Sequence, residues 1–375
     1  MKPCTIALDC RTALSPKTGD RTYTLTLLRG LAQLNLDPAQ WKFQLLLDTP
    51  DAEGVLPSSL CFEKVILNAP NSRLWTLWAL PQWAKQNKPD LIHLHYLAPP
   101  FLPCPFVTTI HDVVFRARPR TFPPLHRTIM NLGMPATARR AAKIITVSEF
   151  SKDEIVRYLR VPASKIAVTF NAVDERYLKP VSAEQIQLAR QKYHIGDAPY
   201  VLSVGVQHPR KNVARLIAAF EQLKTKHPDW PHQLVIAGKI GWGDNSKLKN
   251  QDSKLFIGYV ADEDLPALYA GAACFAYPSL YEGFGLPIVE AMSCGAPVLT
   301  SDRGAMKEAA GGAAQEVNPY QMSSIQSGLE AVLSDANYAE QLRQRGHKRA
   351  AEFTVERLAK QTLRVYRQVL DLNSA

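Results

Sequence analysis

The chain has 375 residues, 46% hydrophobic and 21% charged, which suits two globular lobes and exceeds what one hydrophobic core usually organises. No apolar run approaches the roughly 18 residues of a membrane span, the start Met1–Asp9 lacks a secretory signal, and the six cysteines form no C-x-x-C pair, so a cytoplasmic protein without a disulfide framework or zinc site is expected, peripheral at most to the inner membrane face. The net charge of +10 is uneven: residues 1–178 carry 22 Lys and Arg against 14 Asp and Glu (+8), and residues 179–375 carry 22 against 20 (+2).

In chain order, short β-rich runs alternate with longer helical patterns, the signature of parallel sheets covered by helices. Strands are predicted at Thr5–Leu8, Phe43–Leu47, Lys64–Leu67, Leu91–Leu94, Phe106–Thr109 and Lys143–Val147, with helices over Tyr23–Leu34 and Leu74–Gln86. In the latter, Leu74, Trp75, Leu77, Trp78, Leu80 and Trp83 form an apolar stripe that suits either core packing, the favoured reading, or a membrane surface. Val107–Asp112 delivers His111 and Asp112 to the carboxyl end of a strand, the usual ligand edge of such a sheet. Arg116, Arg118, Arg120, Arg127, Arg139, Arg140 and Lys143 form the densest basic stretch, which suits a solvated face or one turned to anionic lipid or a phosphorylated acceptor. With no nucleic-acid recognition motif beside it, nucleic acid is not expected as a partner. Ser148 follows a strand and opens a helix, so it either caps that helix or touches a ligand.

A boundary is placed at residue 178, before Pro180 and a new polar helix. Strands then follow at Tyr200–Val206, Gln233–Ala237, Leu255–Ile257, Ala273–Ala276 and Pro297–Thr300, and helices at Asn212–His227, Asp262–Ala270, Pro287–Ser293 and Met322–Leu333. After Gly205 the turn carries Arg210 and Lys211, two adjacent cations suited to a diphosphate. Asp262-Glu263-Asp264 reads as an acidic helix start, not a metal site. In Tyr281-Glu282-Gly283-Phe284-Gly285-Leu286-Pro287 two glycines let the backbone approach a ligand at a helix N-terminus, with Pro287 suited to the first helical position. Glu282 and Glu290, the latter read as lying in the first turn, are acceptors for sugar or ribose hydroxyls. A last amphipathic helix spans Thr354–Leu372.

These pieces, with Ala237-Gly238-Lys239, Gly241-Trp242 and Gly258-Tyr259-Val260, resemble the retaining glycosyltransferase family four, in particular its mannosyltransferase-like members. Glu282 and Glu290 reproduce its E-x7-E signature, and the likeness covers nearly the whole chain. The resemblance implies an α/β GT-B fold of two facing Rossmann-like domains, 1–178 for the acceptor and 179–353 for the nucleotide sugar, with 354–375 packing back on the first. It implies that Glu282 and the Gly283, Phe284, Gly285 and Leu286 backbone hold the donor hexose, Glu290 the ribose, Arg210 and Lys211 the diphosphate, with Val260 beside the base and Gly19, Gly205, Gly238 and Ser148 in the donor site. His111 would act at the sugar's reacting face, so His111 and Glu282 are the catalytic candidates. The implied activity is metal-independent hexosyl transfer with retention, from GDP-mannose first or a UDP-hexose second, to a glycan, lipid-linked or small-molecule acceptor, with no separate cofactor. Near the amino terminus the family's Gly-x-Gly-Arg-Tyr becomes Gly19-Asp20-Arg21-Thr22-Tyr23. Gly19 and Tyr23 match, while Arg21 stands where the second glycine is usual, either as an added phosphate-binding cation or in a differently shaped loop. Two rivals share the fold: a sugar-nucleotide epimerase, which needs no acceptor, and an inactive subunit that only binds the nucleotide sugar.

Overall fold

The computed structural model describes residues 2–15, 18–119, 124–239 and 253–371, with side chains at 124–126 left aside; Arg120 and the Gly241-Trp242 pair lie outside this set. The chain forms two units, residues 1–172 with 354–375, and residues 173–353.

The first unit holds a seven-stranded parallel sheet of β1 (Cys4–Asp9), β2 (Trp41–Leu47), β3 (Phe62–Ile66), β4 (Leu91–His95), β5 (Phe106–Thr109), β6 (Lys143–Thr146) and β7 (Ile166–Val168), ordered β3-β2-β1-β4-β5-β6-β7. The second holds a six-stranded parallel sheet of β8 (Tyr200–Val204), β9 (Gln233–Ala237), β10 (Lys254–Gly258), β11 (Cys274–Tyr277), β12 (Val298–Ser301) and β13 (Gln315–Val317), ordered β10-β9-β8-β11-β12-β13. The central strands are buried on both faces, which is why they read as continuous apolar runs. In each sheet the order reverses beside the first strand, between β1 and β4 and between β8 and β11, and such switch points open ligand crevices at the strands' carboxyl ends. The edge strands β7 and β13 were not expected; three residues carry too little pattern to stand out.

The helix Val355–Val369 belongs to the first unit and packs on the helix Gly19–Gln33. Gly30 permits the close approach, since a β-carbon there would sit 2.2 Å from the Val355 carbonyl oxygen. The division falls six residues before the expected 178. Tyr177 explains the difference, because it is buried against Tyr269 with ring centroids 6.0 Å apart and so belongs to the second unit's core.

The tryptophan stripe divides. Trp75, Leu80 and Trp83 are core residues, whereas a π-helical turn over Trp75–Ala79 leaves Leu77 and Trp78 55% and 54% exposed, beside Leu74 at 43%. The extra residue of that turn rotates Leu77 and Trp78 off the buried face, so the expectation of full burial is corrected. The basic stretch is also less free than its charge suggests. Arg116 donates to Asn131 (3.0 Å), Arg127 to the Pro119 carbonyl (3.3 Å), Arg140 to the carbonyls of Pro99 and Pro100, and Lys143 to that of Ser164 (2.8 Å). Arg140 thereby satisfies loop carbonyls that lack secondary-structure partners, while Arg116 is tied to a side chain of a neighbouring helix. Among the described residues no helix is long and apolar enough to cross a membrane, and no group of three or more His, Cys, Asp or Glu is placed to hold a metal ion.

Candidate active site

In the second unit the loops after β8 and β11 meet at the switch point. Gly205 and Gly238 both take positive φ, at +136° and +133°, and a β-carbon on Gly238 would lie 2.0 Å from the Gly205 carbonyl oxygen. Only glycine allows the two strand ends to touch there. Asn212, left-handed at φ +62°, donates through Nδ2 to the Pro278 (3.0 Å) and Pro319 (2.7 Å) carbonyls, while the Leu280 N–H donates to the Arg210 carbonyl at 2.7 Å. These bonds hold the turn that carries Arg210 and Lys211 against the Glu282 loop.

Arg210 and Lys211, both half-buried, form one cluster with the buried Glu282. Arg210 Nη1 pairs with Glu282 Oε2, Lys211 Nζ lies 2.8 Å from Oε1, and the Tyr277 hydroxyl donates to Oε1 at 3.0 Å. Lys211 also donates to the Tyr277 hydroxyl and sits 4.5 Å from its ring centroid. Burial alone would raise the Glu282 carboxyl, but Arg210 and Lys211 outweigh it and hold the group at about 2. Burial pulls the Lys211 ammonium down, and Glu282 offsets this only in part because Arg210 repels it. At neutral pH the cluster is a carboxylate shared by two cations and carries one net positive charge. The expectation gives Glu282 to the hexose and the cations to the diphosphate; the structure brings these three residues together and joins them to one another, with both Glu282 oxygens accepting.

Glu290 is the fifth residue of the helix Leu286–Ser293, so it lies in the second turn and not the first, and Pro287 takes the second helical position. It is buried and accepts from the Tyr269 hydroxyl at 3.2 Å. Burial and then Glu290 push the Tyr269 phenol well above its ordinary value, so that proton stays in place to donate. Gly283 and Gly285 are buried, with Gly285 at φ +107° just before the helix, and Leu286 is half-buried. Phe284 turns inward and meets Phe353 edge-on at 5.3 Å, so its side chain packs and only its backbone is placed for a ligand. Val260 is buried just past β10, next to the exposed Tyr259, whose ring lies 5.3 Å from Lys239 Nζ. Asp262 pairs with Arg176 at 3.3 Å and Asp264 with Lys192 at 2.6 Å, ahead of a helix that begins at Leu265.

In the first unit His111 stands just past β5 and is 7% exposed. Three imidazoles stack: His93 and His95 have centroids 5.7 Å apart at 19°, and His95 and His111 6.0 Å apart at 5°. Tyr23 meets His111 edge-on at 4.8 Å. Below them His93 bonds Tyr366 of the last helix through Nδ1 (2.6 Å) and Thr109 through Nε2 (2.7 Å), and Thr109 meets the Tyr23 hydroxyl at 3.2 Å. Burial lowers all three imidazoles; His93 falls well below its ordinary value and His95 to about 4, whereas Asp20 opposes the fall at His111. Ser148 is fully buried and accepts from the Ser151 N–H at 3.0 Å, so of its two readings the cap is the one observed. Gly19 opens the helix Gly19–Gln33 with open space where a β-carbon would lie. Arg21 donates to the Ala13 carbonyl at 3.1 Å.

Sequence reasoning did not single out Tyr277, Tyr269, His93, His95 or Asp20. For the histidines a signal existed: His93 and His95 alternate on β4, and the register pairs His95 with Thr109, two residues before His111, so all share one face.

Comparison with known sequences agrees with this layout. A family described as "Glycosyltransferase Family 4" matches residues 19–177, and one described as "Glycosyl transferases group 1" matches residues 185–349. The O-antigen chain mannosyltransferase B of Escherichia coli is 36% identical over 267 residues, 70% of each chain. The serotype-specific mannosyltransferase WbdA of the same organism is 30% identical over 232 residues, which are 58% of this chain and 28% of that one, so the present chain corresponds to only part of it. Among solved structures, sucrose-phosphate synthase from Thermosynechococcus elongatus superposes with a TM-score of 0.76 at 21% identity, covering 98% of this chain and 100% of that one. HepE from Anabaena, solved with UDP and glucose, gives 0.73 at 19%, covering 97% and 99%. Two parallel-sheet units, each with a ligand-edge switch point, define the GT-B class. The chain belongs to the group 1, family 4 glycosyltransferases, enzymes that transfer a hexosyl group from a nucleotide sugar.

Proposed function

We propose that this enzyme transfers mannose from GDP-mannose to a glycan acceptor carried on a lipid, with retention at the anomeric carbon and without a metal ion. The reading rests on the Arg210–Lys211–Glu282–Tyr277 cluster at the β8/β11 switch point; mannose and the glycan acceptor are favoured by the names of the relatives. The cluster's net positive charge meets a diphosphate. When the phosphates take over the two cations, the Glu282 oxygens become free to accept from hexose hydroxyls. Arg210 and Lys211 then stabilise the charge that grows on the leaving diphosphate, the part a metal plays in other transferases. The acceptor hydroxyl attacks the anomeric carbon as the bond to the diphosphate breaks, and its proton passes to the leaving phosphate oxygen on the same face. The buried Glu290–Tyr269 pair supplies acceptor and donor for the ribose hydroxyls.

A thermal-shift panel of sugar nucleotides tests this. A ligand bound only by the folded state adds about 2.7 kcal/mol at a hundredfold excess over Kd, so GDP-mannose should raise Tm by several degrees, with EDTA making no difference. A shift from UDP-hexoses alone moves the donor to the second choice, and no shift from any sugar nucleotide sinks the reading. Consumption of donor without an acceptor favours an epimerase.

We also propose a peripheral contact with an anionic membrane through Leu74, Leu77 and Trp78, supported by their exposure on one turn beside Arg73. The double substitution Leu77→Ser/Trp78→Ser should lower sedimentation with vesicles rich in anionic lipid at least threefold while Tm holds. Equal sedimentation of the two proteins rejects the contact.

A further inference from the structure

The strand β11 ends on a phenol that meets Glu282. Tyr277 is 2% exposed, its ring stacks on Phe275 at 5.7 Å and 23°, and its carbonyl accepts from Thr300 Oγ1 at 3.0 Å, so ring and backbone are both pinned. Its hydroxyl accepts from Lys211 Nζ and donates to Glu282 Oε1 at 3.0 Å. Burial and then Glu282 push the phenol well above its ordinary value, so its single proton stays in the bond to the carboxylate.

The fold does not require this hydroxyl. Phenylalanine would pack against Phe275 in the same way, and neither carboxylate oxygen would be orphaned, because Oε1 keeps Lys211 at 2.8 Å and Oε2 keeps Arg210. What the hydroxyl adds is a contact of another kind. Arg210 and Lys211 present charges on long, half-buried side chains, and both can turn to a bound diphosphate. A phenol on a closely packed ring stays where the strand puts it.

From this arrangement we infer that Tyr277 is a positioning residue for Glu282: when a diphosphate takes over the two cations, Tyr277 keeps Oε1 and leaves Oε2 directed at a hydroxyl of the hexosyl group. This role rests on the proposed hexosyl transfer and lies wholly within the 173–353 unit. Without the phenol the carboxylate loses its fixed contact as its cations turn away, and it spreads over several rotamers. The sugar is then held poorly, because a hydrogen bond to a charged group contributes strongly only in good geometry. The nucleoside diphosphate is unaffected, since it still meets Arg210 and Lys211. Loss of the hydroxyl therefore separates the two halves of the donor.

Titration calorimetry supplies the test, with Kd measured for GDP and GDP-mannose, and for UDP and UDP-glucose, on the wild type, Tyr277→Phe, Glu282→Ala and the double variant. Tyr277→Phe should keep the Kd of the nucleoside diphosphate within about twofold and weaken the matching sugar nucleotide at least about tenfold, the scale of one hydrogen bond to a charged group. In the Glu282→Ala background the same substitution should change the sugar nucleotide less than about twofold, because no carboxylate is left to hold and the two effects do not add. If Glu282→Ala does not keep its fold, the single variant decides alone. A merely structural role would weaken both ligands together. Equal weakening of the two, a sugar-nucleotide loss below about tenfold, or the same loss in the Glu282→Ala background overturns the role of Tyr277 and leaves the transferase reading intact. A wild type that binds no sugar nucleotide overturns both.

Discussion

Glu282→Ala is expected to destabilise the 173–353 unit by about 3–5 kcal/mol, the usual cost of removing one partner from a buried ion pair, and to lower transfer at least a thousandfold. The cause is what remains. Lys211 is half-buried next to Arg210, and both direct their charge at the lost carboxylate. Urea unfolding at pH 7 followed by a probe within this unit measures the first effect, and turnover of GDP-mannose the second. Pyrophosphate supplies a decisive comparison: it should stabilise Glu282→Ala more than the wild type, because an anion then fills a site that the carboxylate otherwise occupies. Equal melts with and without pyrophosphate would remove the shared-carboxylate description. The same carboxyl sets an acid limit. Its folded value of about 2 lies below the ordinary 4.5, so its contribution is complete above pH 4.5 and lost as pH falls toward 2. That contribution is on the order of 3 kcal/mol.

The first unit should weaken in a higher pH window. His93, His95 and His111 are held below their ordinary 6.5 chiefly by burial, so below pH 6.5 the unfolded chain takes up protons that the folded imidazoles refuse. Stability conferred by the neutral stack is therefore full above pH 6.5 and declines as pH drops toward the folded values, about 4 for His95. The groups facing His95 do not cancel this, since His111 and Arg11 lower it while Asp9 and Asp20 raise it. Between pH 7 and 4.5 the wild type should lose about 2 kcal/mol through His95 alone, seen as an earlier urea midpoint for this unit. His95→Gln, which cannot take a proton, should flatten that slope by the same amount. Parallel pH profiles for the two proteins would show that the stack does not resist protonation.

Much of the fold was legible because burial on both faces leaves a strong mark. Phe106–Thr109 and Gln233–Ala237 were placed at the observed bounds, and the other central strands within two residues. The glycine loop ahead of the helix Leu286–Ser293 was legible for a different reason: positive φ and close backbone approach restrict residue type locally, so Gly205, Gly238 and Gly285 signal themselves. What was not legible were relations between distant residues. Nothing at Arg210 or Lys211 announces that both will bond Glu282, about seventy positions later, and nothing local announces that Tyr177 already belongs to the second unit's core.

By itself the sequence determined the chemistry class: alternating parallel-sheet units, a glycine-shaped loop at a helix start, and two carboxylates and two cations in a family's order. These follow from backbone conformation and hydrophobic period, which act over a few residues. Only the tertiary structure decided which charges meet. It turned Glu282 toward Arg210 and Lys211, stacked His93 and His95 beneath His111, and brought Asp20 to the same imidazole. Electrostatic partnership and burial depend on distances across sheet edges, and those exist only once the parallel strands have set separate loops side by side.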